Sequence, residues 1–229
     1  FATVFPEHPQ SSTVLTDAAE SYFAAGQMEQ AIQVAEQVLE RDLTPTPQLQ
    51  NVAWTVVAHG NFDLANYSRA ELAYKELRLL GGSEGLAGTE LDERIAASVY
   101  RQAEAAQASG DTDAAVQNYL RVAVAAPTAI IGANAVYDAA ALLMSEQRWE
   151  QAIDVLDSFR ASYPQHAFGD EVTTKLALAY RESGQSMKAA REFEQVASLD
   201  SVGAEVRREA LWTAATLYEE TSGLADARR

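Results

Sequence analysis

Small and apolar residues recur along this chain at helical spacing, and the pattern stops and restarts at intervals. Ala18 to Ala25 carries Ala19, Tyr22 and Phe23 at helical intervals, breaks at Gly26-Gln27, and resumes with Ala31 and Ile32. Apolar positions three and four residues apart predict one helix, a turn, then a second helix. The same order returns at Gln102 to Val116 around Gly110, at Ala139 to Ile153 around Gln147, and at Leu176 to Ala190 around Gly184. A fainter copy holds Trp54, Ala58, Tyr67, Ala70 and Tyr74, and a sixth, cut short, holds Leu211, Ala215, Tyr218, Gly223 and Ala227.

Aligned on their turns, the copies meet at residues 26, 65, 110, 147, 184 and about 222, so the period is 37 to 45 residues. Two helices per period of this size indicate an α-solenoid of about six hairpins and eleven to thirteen helices. Ala19, Ala58, Ala103, Ala140, Ala177 and Ala215 fall mid-way along the first helices. Ala31, Ala70, Ala115, Ala152, Ala189 and Ala227 fall early in the second ones. Small side chains at both places let paired helices approach closely. Tyr22, Tyr74, Tyr119, Leu156, Tyr180, Phe193 and Tyr218 are then expected to fill the gaps between neighbours.

The turn chemistry agrees. Gly26, Gly110 and Gly184 suit a left-handed residue ending a helix. Thr112 and Ser186 are expected to cap the helices that follow, and Thr89-Glu90-Leu91-Asp92 reads as a capped restart. Pro127 and Pro164 come where second helices must stop. Four glycines between Gly81 and Gly88 lengthen one period, and residues 81–89 read as an inserted loop or a hinge.

This pattern resembles the tetratricopeptide repeat family over roughly residues 10 to 229. Trp54, Ala58 and Ala70 match the family's fourth, eighth and twentieth places, and Pro127 and Pro164 its closing proline. Gly82 and Ser201 depart from it. The resemblance implies an all-α, right-handed α-α superhelix, a single solenoid over residues 1–229 whose last hairpin is truncated. The chain opens at Phe1 and ends inside a helical pattern, so it is expected to be a fragment of a longer protein. An aromatic before proline at Phe5-Pro6 and Tyr163-Pro164, with steps of 37 residues, is similar to bacterial envelope members of the family.

By the same resemblance, certain places on the first helices face a concave groove that holds a partner peptide or helix. Here they give Glu20, Phe23, His59, Phe62, Asp63, Tyr100, Glu104, Tyr137, Met144 and Arg181 as partner-binding residues. Phe62, Tyr100 and Tyr137 are the expected anchors, with Glu20, Asp63 and Glu104 favouring basic flanks. The other reading of these aromatics is packing between repeats. Family members that clamp a carboxylate use Lys, Arg and Asn at such places; only Arg181 and Asn134 are of that type, in different repeats, so no such clamp is expected.

Charge narrows the partner. A formal net charge of −16 repels phosphate backbones and anionic headgroups and steers basic partners. Cysteine is absent, which excludes disulfides, thiolate metal sites and cysteine nucleophiles. His8, His59 and His166 include no pair at ligand spacing, so no metal site is expected; His8 and His166 are expected in solvent. Nucleophile elbows and phosphate loops are missing, and the many carboxylates read as solvated helix faces. The expected function is therefore a non-catalytic protein-binding scaffold without cofactor, in a periplasmic or outer-membrane-associated complex or, alternatively, in the cytoplasm. Two other readings stand beside it: a module bound to polysaccharide or peptidoglycan, and a regulatory domain of a larger enzyme.

Overall fold

A computed structural model describes residues 2, 4, 5, 7–40, 45–81 and 88–222. Among the described residues there are eleven α-helices and no strand: α1 (Ser11–Ala24), α2 (Met28–Leu39), α3 (Pro47–Asp63), α4 (Tyr67–Leu79), α5 (Thr89–Ala108), α6 (Thr112–Ala125), α7 (Gly132–Ser145), α8 (Trp149–Ser162), α9 (Gly169–Glu182), α10 (Ser186–Ser198) and α11 (Ala204–Ser222). The fold class is all-α, as the sequence predicts. The chain forms two compact units. The first comprises Phe1–Gly110 with Arg121–Gly132, the second Asp111–Leu120 with Ala133–Arg229, so α6 contributes to both. The loop or hinge expected at 81–89 falls, for residues 82–87, outside the described residues.

The turns lie where the repeat places them. Gly26, Ala65, Gly110, Gln147 and Gly184 all have positive φ, between +57° and +81°. In the first unit the amides of Gly26 and Gln27 donate to the carbonyls of Phe23 and Tyr22, and those of Ala65 and Asn66 to Phe62 and Asn61. In the second unit the same pair of bonds closes α7 at Gln147 and Arg148 and α9 at Gly184 and Gln185. A left-handed residue with this bond pattern uses the last free carbonyls of one helix while reversing the chain.

Because the next helix begins two residues after the left-handed one, the capping place is 111 or 185 rather than 112 or 186. Asp111 Oδ1 accepts from the Ala114 amide at 3.0 Å, while Thr112 is already the first residue of α6. Ser186 likewise opens α10, whose N-cap is Gln185, and Thr89 opens α5 after Gly88. Of the three hydroxyl caps expected from the sequence, the first is replaced by Asp111, while Gln185 and Gly88 make no side-chain cap bond at the other two.

The alanine register is recovered. Ala19, Ala58, Ala103, Ala140 and Ala177 are fully buried, as are Ala31, Ala70, Ala115, Ala152 and Ala189. In α11 the buried small residues are Ala210 and Ala214 rather than Ala215, which is half-buried; Ala227 lies outside the described residues. Tyr74, Tyr119, Leu156, Tyr180, Phe193 and Tyr218 are buried. Tyr22 is not: its side chain on α1 stays exposed, at 39%. Gly60 of α3 lets α2 approach, since a Cβ there would come within 2.9 Å of Ile32 Cγ1.

Two buried glutamates tie helices together. In the first unit Glu71 of α4 takes Lys75 at 2.6 Å, Arg121 at 2.8 Å and the Gln102 amide at 2.8 Å. Burial pushes its carboxyl up, but the hydrogen bonds from Lys75 and Gln102 and the charges of Arg121 and Lys75 leave it below the usual range. In the second unit both Nη1 contacts from Arg160 of α8 reach Glu192 of α10 at 2.9 Å, and Arg160 also holds Asp157 at 2.8 Å.

Candidate functional site

The first unit contains a cavity of about 1050 Å³ between α1 and α3. Thr46 starts α3: its side chain accepts from the Leu49 amide, and Pro47 supplies the fixed φ of a first turn. From there Gln48, Asn51, Thr55 and His59 recur every three or four residues and line the cavity from one face of α3, with Val52 and Val56 beside them. Glu20, Phe23 and Ala24 line it from α1, and Gly81, just past α4, closes part of the rim. The result is an apolar hollow with a polar stripe along one wall.

That stripe holds unpaired polar atoms. Thr55 donates its hydroxyl to the Asn51 carbonyl at 2.7 Å. Asn51 Oδ1 and His59 Nε2 are buried atoms without a hydrogen-bond partner. The His59 ring lies 6.2 Å from Phe23 and 5.6 Å from Tyr74, centre to centre. Burial, then the charge of Arg94, lowers the His59 pKa against the opposite pull of Asp63 and Glu90. The imidazole is therefore neutral at pH 7 and has one nitrogen able to accept. Tyr74, fully buried beside it, also has an unpartnered hydroxyl, and burial pushes its pKa up.

Of the ten residues read from the sequence, Glu20, Phe23 and His59 meet in this cavity. Phe62, half-buried, packs edge-on against Tyr67 at 5.3 Å, and Asp63 is exposed at the end of α3. Tyr100 and Glu104 lie on α5, where Glu104 pairs with Arg101 at 2.7 Å. These four belong to the first unit but not to the cavity lining.

Tyr137, Met144 and Arg181 belong to the second unit. The Tyr137 hydroxyl donates to Glu171, its ring lies 4.7 Å from Phe168, and Lys175 Nζ sits 5.2 Å from the ring centre. Arg181 pairs with Glu182 at 3.0 Å and stands over the Phe193 ring. Met144 is half-buried on α7. His166, expected in solvent, is instead half-buried among Phe159, Tyr163 and Phe168, and its Nδ1 accepts from the Phe168 amide at 3.3 Å. The loop after α8 folds its aromatic residues together, which a proline-containing turn does not reveal by itself. His8 is exposed, as expected.

Gln48, Asn51, Val52 and Val56 were missed. Gln48, Asn51 and Val56 lie outside the family's groove-facing places, but the polar spacing 48, 51, 55, 59 was visible as one helical face. Among the described residues no group of three His, Cys, Asp or Glu could hold a metal ion, and no helix is long and apolar enough to cross a membrane.

The tetratricopeptide repeat model matches residues 14–42 and 135–166, which include the helices α2 and α8 that carry Ala31 and Ala152. Over those two segments the chain carries tetratricopeptide repeats. Among solved structures it is similar to PilW, described as a widely conserved type IV pilus biogenesis factor, at 17% identity over 96% of this chain and 90% of that one, with a TM-score of 0.41. It is also similar to TTC0263, a tetratricopeptide protein of Thermus thermophilus, at 13% identity over 88% and 98%, TM-score 0.36. A third is YrrB, described as having an unusual peptide-binding site, at 11% identity over 91% and 96%, TM-score 0.38. No curated protein matches this chain.

Proposed function

We propose that this chain is a non-catalytic scaffold that holds a segment of a partner protein, and that the cavity between α1 and α3 is the place of contact. One observation carries the reading: about 1050 Å³ of concave space is bounded by Phe23, Val52 and Val56 and by the polar residues Glu20, Gln48, Asn51 and Thr55. Concave sites with an apolar body and a few fixed polar groups bind peptides and small molecules alike. Tetratricopeptide architecture favours the peptide, because successive helices present one continuous face. A sugar platform is less supported, since Phe23 is the one Phe, Tyr or Trp among the described lining residues. The aromatic-proline pairs and the steps of 37 residues make the cell envelope the first compartment in which to seek the partner.

The test is site-specific photocrosslinking in envelope extract. A photoreactive residue replacing Gln48 is expected to capture a defined partner, whereas one replacing the exposed Gln33 of α2 captures none. Phe23→Ala in the same chain is expected to abolish capture at position 48 without changing the melting curve. Equal capture from 48 and 33, or undiminished capture after Phe23→Ala, would show that the cavity is not the docking place.

A further inference from the structure

The cavity between α1 and α3 lies among helices that carry no positive side chain. Helices α1, α2 and α3 hold Asp17, Glu20, Glu29, Glu36 and Asp63, and neither lysine nor arginine. None of these five carboxylates is in an ion pair among the described residues, whereas α4, α5, α6, α8, α9 and α10 each hold an ion-paired side chain. Glu20 lines the cavity. Asp17 stands one turn before it, on the face of α1 that carries Glu20 and Ala24, and Asp63 one turn beyond His59 on the lining face of α3. All three carboxylates are exposed. Phe23, Val52 and Val56 give the same hollow its apolar surface. We propose that the cavity takes a cationic segment of the partner, with large apolar side chains seated against Phe23, Val52 and Val56 and lysines or arginines on either side, near Asp17, Glu20 and Asp63.

Charge and apolar surface select together. Exposed carboxylates keep their hydration, so each attracts a cation modestly and over some distance, and several act in the same direction. No single cation has to bridge fixed atoms. An acidic segment is repelled by the same charges, and a neutral one gains only the apolar contact. A cationic segment without apolar side chains gains attraction but leaves Val52 and Val56 uncovered. Length follows from the helix: Gln48 to Asp63 runs about 22 Å at 1.5 Å per residue. About seven extended residues span that face, at roughly 3.3 Å each. The charge of Arg94 on α5 acts on His59, but those of Asp63 and Glu90 oppose it, so this end of the face stays negative on balance.

The inference rests on the scaffold reading but has its own test. The probes are capped heptapeptides with a central Leu-Ala-Leu, flanked on each side by two lysines or by two glutamines, and a third with four lysines around Gly-Ala-Gly. Titrated into the isotope-labelled full chain and followed by NMR, the lysine-leucine peptide is expected to shift Glu20, Phe23, Val52 and Val56 saturably. The glutamine peptide is expected to bind about tenfold more weakly at low salt, with the gap closing at high salt. The Gly-Ala-Gly peptide is expected to leave Val52 and Val56 unshifted. Asp17→Asn, Glu20→Gln and Asp63→Asn together remove three exposed, unpaired charges and are expected to bring the lysine-leucine peptide down to the glutamine one. Glu146→Gln, Glu150→Gln and Asp154→Asn remove as much charge from exposed places in the second unit and are expected to leave binding nearly unchanged. Equal binding of the lysine and glutamine peptides, shifts that map elsewhere, or equal losses in the two triple variants would overturn the inference. If those results coincide with capture at position 48, the cationic preference fails and the docking cavity stands. If capture fails as well, both fall.

Discussion

Ala65 and Gln147 occupy the left-handed place that Gly26, Gly110 and Gly184 occupy in the other turns, with φ of +59° and +57°. A side chain there brings Cβ against its own backbone at a cost of roughly 1–2 kcal/mol, part of which glycine forfeits through its freer unfolded chain. Both side chains are exposed, so little packing is lost by removing them. Ala65→Gly and Gln147→Gly are each expected to stabilise the chain by about 0.5–1 kcal/mol in urea unfolding. Gly26→Ala, the reverse change in the same geometry, is expected to destabilise by a similar amount. A loss on introducing glycine at either site would mean the turn is held by the side chain it replaces. At this scale the sequence shows that a turn exists and where. It does not show that two of the five turns are made by residues unsuited to them, because the hairpin imposes φ through packing on either side.

A fully buried alanine sits early in each of α2, α4, α6, α8 and α10. Ala115→Leu, Ala152→Leu and Ala189→Leu are each expected to overpack the interface and cost about 1–3 kcal/mol, read as a drop in melting temperature. No drop in any of the three would contradict the register, since 0% exposure leaves no room for three added carbons. Glu71 is the other kind of element contact, a charge that joins α4 to the α5 amide Gln102 and the α6 guanidinium Arg121. Glu71→Gln keeps the shape and removes the charge, and is expected to cost about 1–3 kcal/mol, at the lower end because Lys75 and Arg121 are partly exposed and can be rehydrated. A neutral result would mean that desolvation cancels the pair. The alanines were legible because small residues recur at one place per period. Glu71 was not, because an acidic residue on a helix reads as solvent-facing until the neighbouring helices are known to cover it.

Over the whole molecule, acid weakens the fold through the same groups. The folded pKa of Glu71 lies below the ordinary 4.5, so its contribution is complete above that value and is lost as pH falls through the lowered one. His59 is held below its ordinary 6.5, so the unfolded chain takes up the proton more readily and stability starts to fall once pH drops beneath 6.5. Urea midpoints are therefore expected to decline first as pH falls below 6.5, then further below 4.5. His59→Gln should flatten the first decline and leave the second. A first decline that persists unchanged in this variant would assign it to another group. At neutral pH a formal charge of −16 works against compactness, and screening it with salt is expected to raise the melting temperature.

The sequence by itself determined the period, the turn positions, the helix type and the buried alanines. These follow from local rules: apolar spacing, chain reversal and side-chain size act within one hairpin and leave their mark on one stretch of chain. Tertiary structure decided the rest. It gathered Glu20, Phe23 and His59 into one cavity while leaving Phe62 against Tyr67 and Tyr137 against Phe168. It put the cap of α6 on Asp111, drew His166 into an aromatic cluster, and left Asn51 Oδ1 and His59 Nε2 without partners. Whether a side chain fills a gap, pairs with a charge or waits for a ligand depends on which neighbour covers it, and that neighbour comes from a helix tens of residues away.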